Sequence, residues 1–154
     1  MLSWKRILCP VDFSDVSMSA LRLAKSICTQ FDGTLVVVYV VEPIVAPTDF
    51  TYGSLTSGEL EDRLVERSRQ SLAEVVKTLD LKEAQVIQRV ERGRASAEVV
   101  RVAGEEKADL IVIGTHGYTG MAHVLLGSTA ERVIRKAPCP VLTVRPKEPA
   151  PAAS

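Results

Sequence analysis

A three-layer α/β sandwich built on a parallel sheet is the fold class that this sequence predicts, on three observations. Short apolar runs alternate with helical patterns along the chain, which is the signature of strands joined by crossover helices. Two of those runs, in "GTLVVVYVVE" and "DLIVIG", are uninterrupted, as strands covered on both faces are. The length, 154 residues, suits one domain that can bury a core without disulfide or metal staples.

The elements follow in order. "RILCPVD" reads as a short buried strand. "SDVSMSALRLAKSICTQF" then spaces Ala20, Leu23, Ala24, Ile27, Cys28 and Phe31 three or four apart, on one helical face, with Ser14 as cap. The valine-rich run after Gly33 is a strand at or near the sheet centre. "PIVAPTDFTYGSLTSG" is rich in Pro, Gly, Ser and Thr and reads as a long loop. Leu60, Leu64, Leu72, Val75, Val76 and Leu79 mark a long helix with a charged outer face. "AQVIQRVERG" alternates apolar and polar residues, as a strand nearer the edge would, and "SAEVVRVAGEEKA" is a helix turning Val99, Val100 and Ala103 inward. "DLIVIG" is a fourth strand. "STAERVIRKA" is a helix stopped by Pro138, and "CPVLTVRP" holds a last strand. The tail, residues 148–154, reads as disordered.

Composition excludes several classes. Apolar residues make up 46% and charged residues 25%, ordinary usage for a folded domain. Lys plus Arg and Asp plus Glu both total 19, so no net charge draws the chain toward nucleic acid or an anionic membrane. No apolar run reaches the roughly 20 residues of a bilayer span, and "MLSWKRILCPVDFSD" lacks a signal-peptide pattern, so a cytoplasmic location is expected. Cys9, Cys28 and Cys139 are odd in number and far apart, which fits small buried side chains and no disulfide framework. His116 and His123 are too isolated for a metal cluster.

In parallel α/β sheets ligands bind beyond the carboxyl ends of the strands. Two such ends are unusual: "CPVD" puts Pro10 and Asp12 at the first strand's exit, and Gly114 closes the fourth. If these strands are neighbours, both features line one crevice. Gly114, Gly117 and Gly127 form G-x2-G-x9-G, followed by Ser128 and Thr129. Glycine lets backbone N–H groups approach an anion without a Cβ in the way. Ser128 to Glu131 fits a capping box, which places a helix start directly after Gly127, where unpaired amides favour phosphate. The spacing is served equally well by strand termination, turns and an ordinary cap. It is neither a P-loop, since no GK[ST] follows, nor the dinucleotide fingerprint.

Taken together, "KRILCPVDFSD", "VVVYVVEP", "ADLIVIGTHG" and "LLGSTAERVIRKAPCPVLTVRP" resemble the universal stress protein family, in its ATP-binding branch with G-x2-G-x9-G-[ST]. The resemblance covers nearly the whole chain and implies a family domain over residues 1–147. It implies a five-stranded sheet of order 3-2-1-4-5, the Rossmann-like fold of the adenine nucleotide alpha hydrolases. It further implies a homodimer in which the last strand, about Pro140 to Val144, pairs across subunits, and ATP or another adenine nucleotide, with Mg2+ or Mn2+, in the crevice. Carried over by position, Asp12 reads the adenosine, Pro10 walls the ribose, Val11 joins the nucleotide-binding set, and Val40 offers main-chain groups to adenine. Gly114 lets the nucleoside lie against the backbone. Gly117, Gly127, Ser128 and Thr129 hold phosphates, and His116 joins the nucleotide-binding set.

His116 has no orienting acid beside it in the sequence, which argues against a general base. Arg94 follows the third strand, which the implied order sets away from the phosphate loop. The expected function is a nucleotide-dependent regulatory switch in stress response, with an unknown protein partner. The alternatives are a slow ATPase or nucleotidyl- or phosphoryl-transfer enzyme, and a dimeric interaction module with an empty pocket. Phosphoryl transfer usually relies on metal ligands and a cationic side chain near the γ-phosphate, and the loop supplies neither.

Overall fold

The computed structural model describes residues 1–44, 56–116 and 126–147. Within them run β1 (Arg6–Pro10), α1 (Asp15–Phe31), β2 (Thr34–Val41), α2 (Ser57–Lys77), β3 (Val86–Arg92), α3 (Ala95–Glu105), β4 (Leu110–Gly114), α4 (Ser128–Lys136) and β5 (Val141–Val144). A single turn of 3-10 helix, Glu83–Gln85, precedes β3. The five strands form one sheet in the order β3-β2-β1-β4-β5, and every pairing is parallel. Most of the expected long loop, the expected disordered tail and Gly117 lie outside the described residues.

Strand alternation divides the core in two. Ile7, Cys9, Leu35, Val37, Leu110 and Val112 face Ala20, Leu21, Ala24 and Cys28 of α1 and Leu72 of α2. Leu8, Val36, Val38, Ile111 and Ile113 face Val99, Val102 and Ala103 of α3 with Ala130 and Val133 of α4. Leu35 to Val38 are all fully buried, which is why β2 tolerates no polar residue there. Cys9 and Cys28 are buried and Cys139 half-buried, as small apolar side chains would be. No helix among the described residues is long and apolar enough to cross a membrane.

Ser14 caps α1, its side chain accepting the Ser17 N–H, and the helix ends where Asp32 turns left-handed at φ 48°. The inward face of α1 differs from expectation by one position: Leu21 is buried, whereas Leu23 is 39% exposed. Leu23 keeps helical spacing with Ala20 and Ile27, whereas Leu21 is spaced three and seven residues from Ala24 and Cys28, and the position of the sheet decides for the latter. In α3 it is Val102 that is buried, while Val100 is only half-buried.

The capping box expected at the start of α4 does not form. Gly127 occupies the N-cap, with φ −69° and ψ 157°, and Ser128 is already the first helical residue. Its acidic partner, Glu131, turns instead to Arg135, one turn along, at 2.9 Å. The helix still starts directly after Gly127, and it starts without a side-chain cap.

Candidate functional site

A cleft of about 340 Å³ opens beyond the carboxyl ends of β1, β2 and β4. From β1 it takes Pro10, Val11 and Asp12, and from β2 Val38 and Val40. β4 and its exit give Ile113, Gly114, Thr115 and His116, and the start of α4 gives Gly127, Ser128, Thr129 and Ala130. Every site residue expected from sequence that lies among the described residues is therefore brought to one hollow. Ser17, Ala95 and Val99 also line it, and these three were not anticipated, nor were Val38, Ile113, Thr115 and Ala130. No lysine or arginine is among its described lining residues. Arg94 is exposed and not among the lining residues, but the helix it precedes is on the cleft wall, because α3 crosses back over the sheet.

The first strand's exit is braced internally. Val11 N–H donates to the Val38 carbonyl at 2.9 Å, and Asp12 N–H donates to Ser17 Oγ at 3.2 Å. Asp12 Oδ1 accepts the Ser14 N–H at 3.0 Å and the Ser14 hydroxyl. Ser17 Oγ donates in turn to the Ser14 carbonyl at 3.0 Å. Asp12 thus supports the helix entry while lining the cleft. Ser17 carries a legible signal in retrospect, since a polar residue three positions after a cap is suited to bridging the turn.

Both described glycines of the motif are required by the protein's own packing. A Cβ on Gly114 would stand 2.8 Å from Val16 Cγ1, so the glycine admits α1 to the end of β4. A Cβ on Gly127 would stand 2.8 Å from the Thr115 carbonyl oxygen, which already accepts the Gly127 N–H at 2.6 Å. Thr115, 2% exposed, also donates its N–H to the Val144 carbonyl at 2.8 Å. One residue thereby fastens the exits of β4 and β5 to the start of α4.

Three helix starts border this cleft: that of α1 is met by the Ser14 side chain and the Asp12 carboxylate, and those of α3 and α4 differ. At α3 the first amide, Ala95 N–H, donates to Glu42 Oε1 at 3.0 Å, so a carboxylate from the end of β2 occupies the anion position. At α4 the N-cap is a glycine with no side chain to offer, and the amides of the first turn point out of the helix. His116 Nδ1 lies 2.9 Å from Thr115 Oγ1. Among the described residues no group of three His, Cys, Asp or Glu is arranged to hold a metal ion. Burial pushes the Cys9 thiol, on the strand beneath the cleft, far above its ordinary range, which makes it no nucleophile.

Comparison with known proteins adds the lineage. A family model described as the universal stress protein family matches residues 3–145. The chain is 38% identical over 145 residues to universal stress protein MJ0531 of Methanocaldococcus jannaschii, covering 92% of this chain and 82% of that protein. A solved structure of MJ0577 from the same organism superposes with a TM-score of 0.79 at 28% identity, covering 96% of this chain and all of that one. A universal stress protein from Archaeoglobus fulgidus, solved in complex with dAMP, gives 0.65 at 24% identity, covering 94% and 99% of the two chains. At that identity the likeness is one of fold.

Proposed function

The chain belongs to the universal stress protein family, and from that premise we propose that its cleft binds an adenine nucleotide, ATP by preference, as a nucleotide-dependent regulatory switch. The observation that carries this reading is the contrast between the starts of α3 and α4. With Glu42 on the amide of α3 and a bare glycine cap on α4, an anion is favoured at one end of the cleft only. The phosphates then lie on the amides of Ser128 and Thr129, and the nucleoside lies toward Asp12, Val40 and Ala95. The dAMP complex of a protein with this fold is in keeping with an adenine nucleotide here. Gly117 completes the phosphate loop in this reading.

The residues fit a nucleotide better than they fit a resident metal. Mg2+ or Mn2+ would be carried on phosphate oxygens and would neutralise charge that no lysine or arginine among the described lining residues offsets. With no lysine or arginine in the described lining, catalysis of phosphoryl transfer gains little from the protein's own charges. Turnover should stay below roughly one per second. A switch requires that nucleotide bind two states of the protein unequally. We assign the readout of those states to a homodimer formed through the open edge of β5, about Pro140 to Val144, and to a protein partner.

Ser128→Pro tests the amide reading directly. Proline is well tolerated at the first helical position, and the extended Gly127 suits the residue before a proline, yet the substitution deletes one amide donor. One hydrogen bond to a charged group contributes about 1.5–3 kcal/mol, so calorimetric titration should show ATP affinity falling roughly tenfold or more. Adenosine affinity should hold, and Ser128→Ala, which keeps the amide, should lose less. Wild-type protein that takes up no adenine nucleotide at millimolar concentration would refute the reading, as would Ser128→Pro binding ATP like wild type.

A further inference from the structure

Four described residues other than glycine have positive φ. Three of them follow helices: Asp32 is the C-cap of α1, and Asp80 and Lys107 stand just past the ends of α2 and α3, where a left-handed residue is a regular way to stop. Phe13, at φ 65°, ends nothing. It stands between Asp12 on the cleft and Ser14, the cap of α1, in a conformation that disfavours a bulky side chain. Its ring crosses to the other face of the sheet and stacks on Tyr39, with centroids 4.9 Å apart and planes at 25°. Both rings pack on the core under α1 and α2, away from the cleft-lining Val38 and Val40.

We infer that Phe13 is a positioning residue for Asp12, an inference that rests on the nucleotide reading of the cleft. The stack clamps the left-handed turn from behind, and the turn holds the Asp12 carboxylate against the Ser14 N–H at the cleft wall. Without the clamp the three-residue exit has more conformations to lose when a nucleoside docks, and that ordering cost is subtracted from affinity. Glycine at this position would accept the backbone angle and remove the stack behind the turn that carries Asp12.

The test is a double-mutant cycle read by calorimetric titration with ATP. An aromatic pair contributes a free energy that corresponds to roughly three- to tenfold in an equilibrium constant. Phe13→Gly should weaken ATP binding by that factor in the wild-type background and leave it unchanged in an Asp12→Asn background. Phe13→Tyr, which keeps the ring, should bind as wild type does. Tyr39→Ala should reproduce the loss from the other side of the stack and Tyr39→Phe should not, and this pair decides the matter if Phe13→Gly does not fold. An equal loss with and without the Asp12 carboxylate would mean a general structural role and would overturn the inference, as would unchanged affinity in Phe13→Gly. Wild-type protein that binds ATP normally alongside either result leaves the nucleotide reading standing, whereas wild-type protein that binds none removes both.

Discussion

A methyl group on Gly127 would meet the Thr115 carbonyl at 2.8 Å, while the Gly127 N–H holds that same oxygen at 2.6 Å, so relief of the clash breaks the bond. Gly127→Ala should therefore cost about 1–3 kcal/mol in urea unfolding, the range of overpacking in a filled interior. Gly104, exposed within α3 with nothing within 4 Å of its missing Cβ, should behave in the opposite way. Gly104→Ala should raise stability by up to about 1 kcal/mol in the same experiment, through helix propensity. At this scale the sequence told where but not why. Motif spacing pointed to Gly114 and Gly127, yet what each glycine avoids, Val16 and the Thr115 carbonyl, arrives from another element through the fold. Thr115 itself carried no signal, because its importance is two main-chain bonds, to Val144 and Gly127, that any residue type makes.

The helices teach a related lesson about caps. The box written by Ser128 and Glu131 is absent, whereas Thr56, within a stretch expected to be loop, forms a full one with Glu59 at the head of α2. Thr56 N–H donates to Glu59 Oε2 at 2.7 Å, and Glu59 N–H donates to Thr56 Oγ1 at 3.2 Å. These bonds from Thr56 hold the Glu59 carboxyl below the ordinary glutamate range. A carboxylate depressed in the folded state stabilises above its unfolded pKa and loses that contribution as pH falls through its folded one. The first turn of α2 should accordingly loosen on acidification below the usual glutamate range, seen as faster amide exchange at Glu59 once intrinsic rates are corrected. Thr56→Ala should show that faster exchange already at neutral pH. Four-residue patterns mark where caps are permitted. Which is used depends on the residue before it, and Gly127, extended ahead of Ser128, takes the α4 position.

For the molecule as a whole, the alternation of strand and helix was legible from periodicity, and the order β3-β2-β1-β4-β5 came through family resemblance. The difference between the two sheet edges was not legible, because it depends on which charges meet. On β3, Arg89 pairs with Glu91, Glu105 and Glu106, and Arg101 of α3 joins Glu91, Glu98 and Glu105. Charge of this kind on an edge strand discourages a neighbour. β5 carries Leu142, 38% exposed, and α4 leaves Ile134 44% exposed. If the proposed dimer uses β5, Leu142→Arg should sediment as a monomer where wild type sediments as a dimer, and wild type behaving as a monomer at every concentration would dismiss that edge. Burial of Cys9 has a consequence of a different kind. Its sulfur is sealed on the middle strand, so an alkylating reagent reaches it only through chains whose sheet has come apart, while the half-buried Cys139 lies nearer the surface. The protein therefore carries a native chemical clock, one thiol timing the opening of the whole fold against another that keeps nearer to surface time.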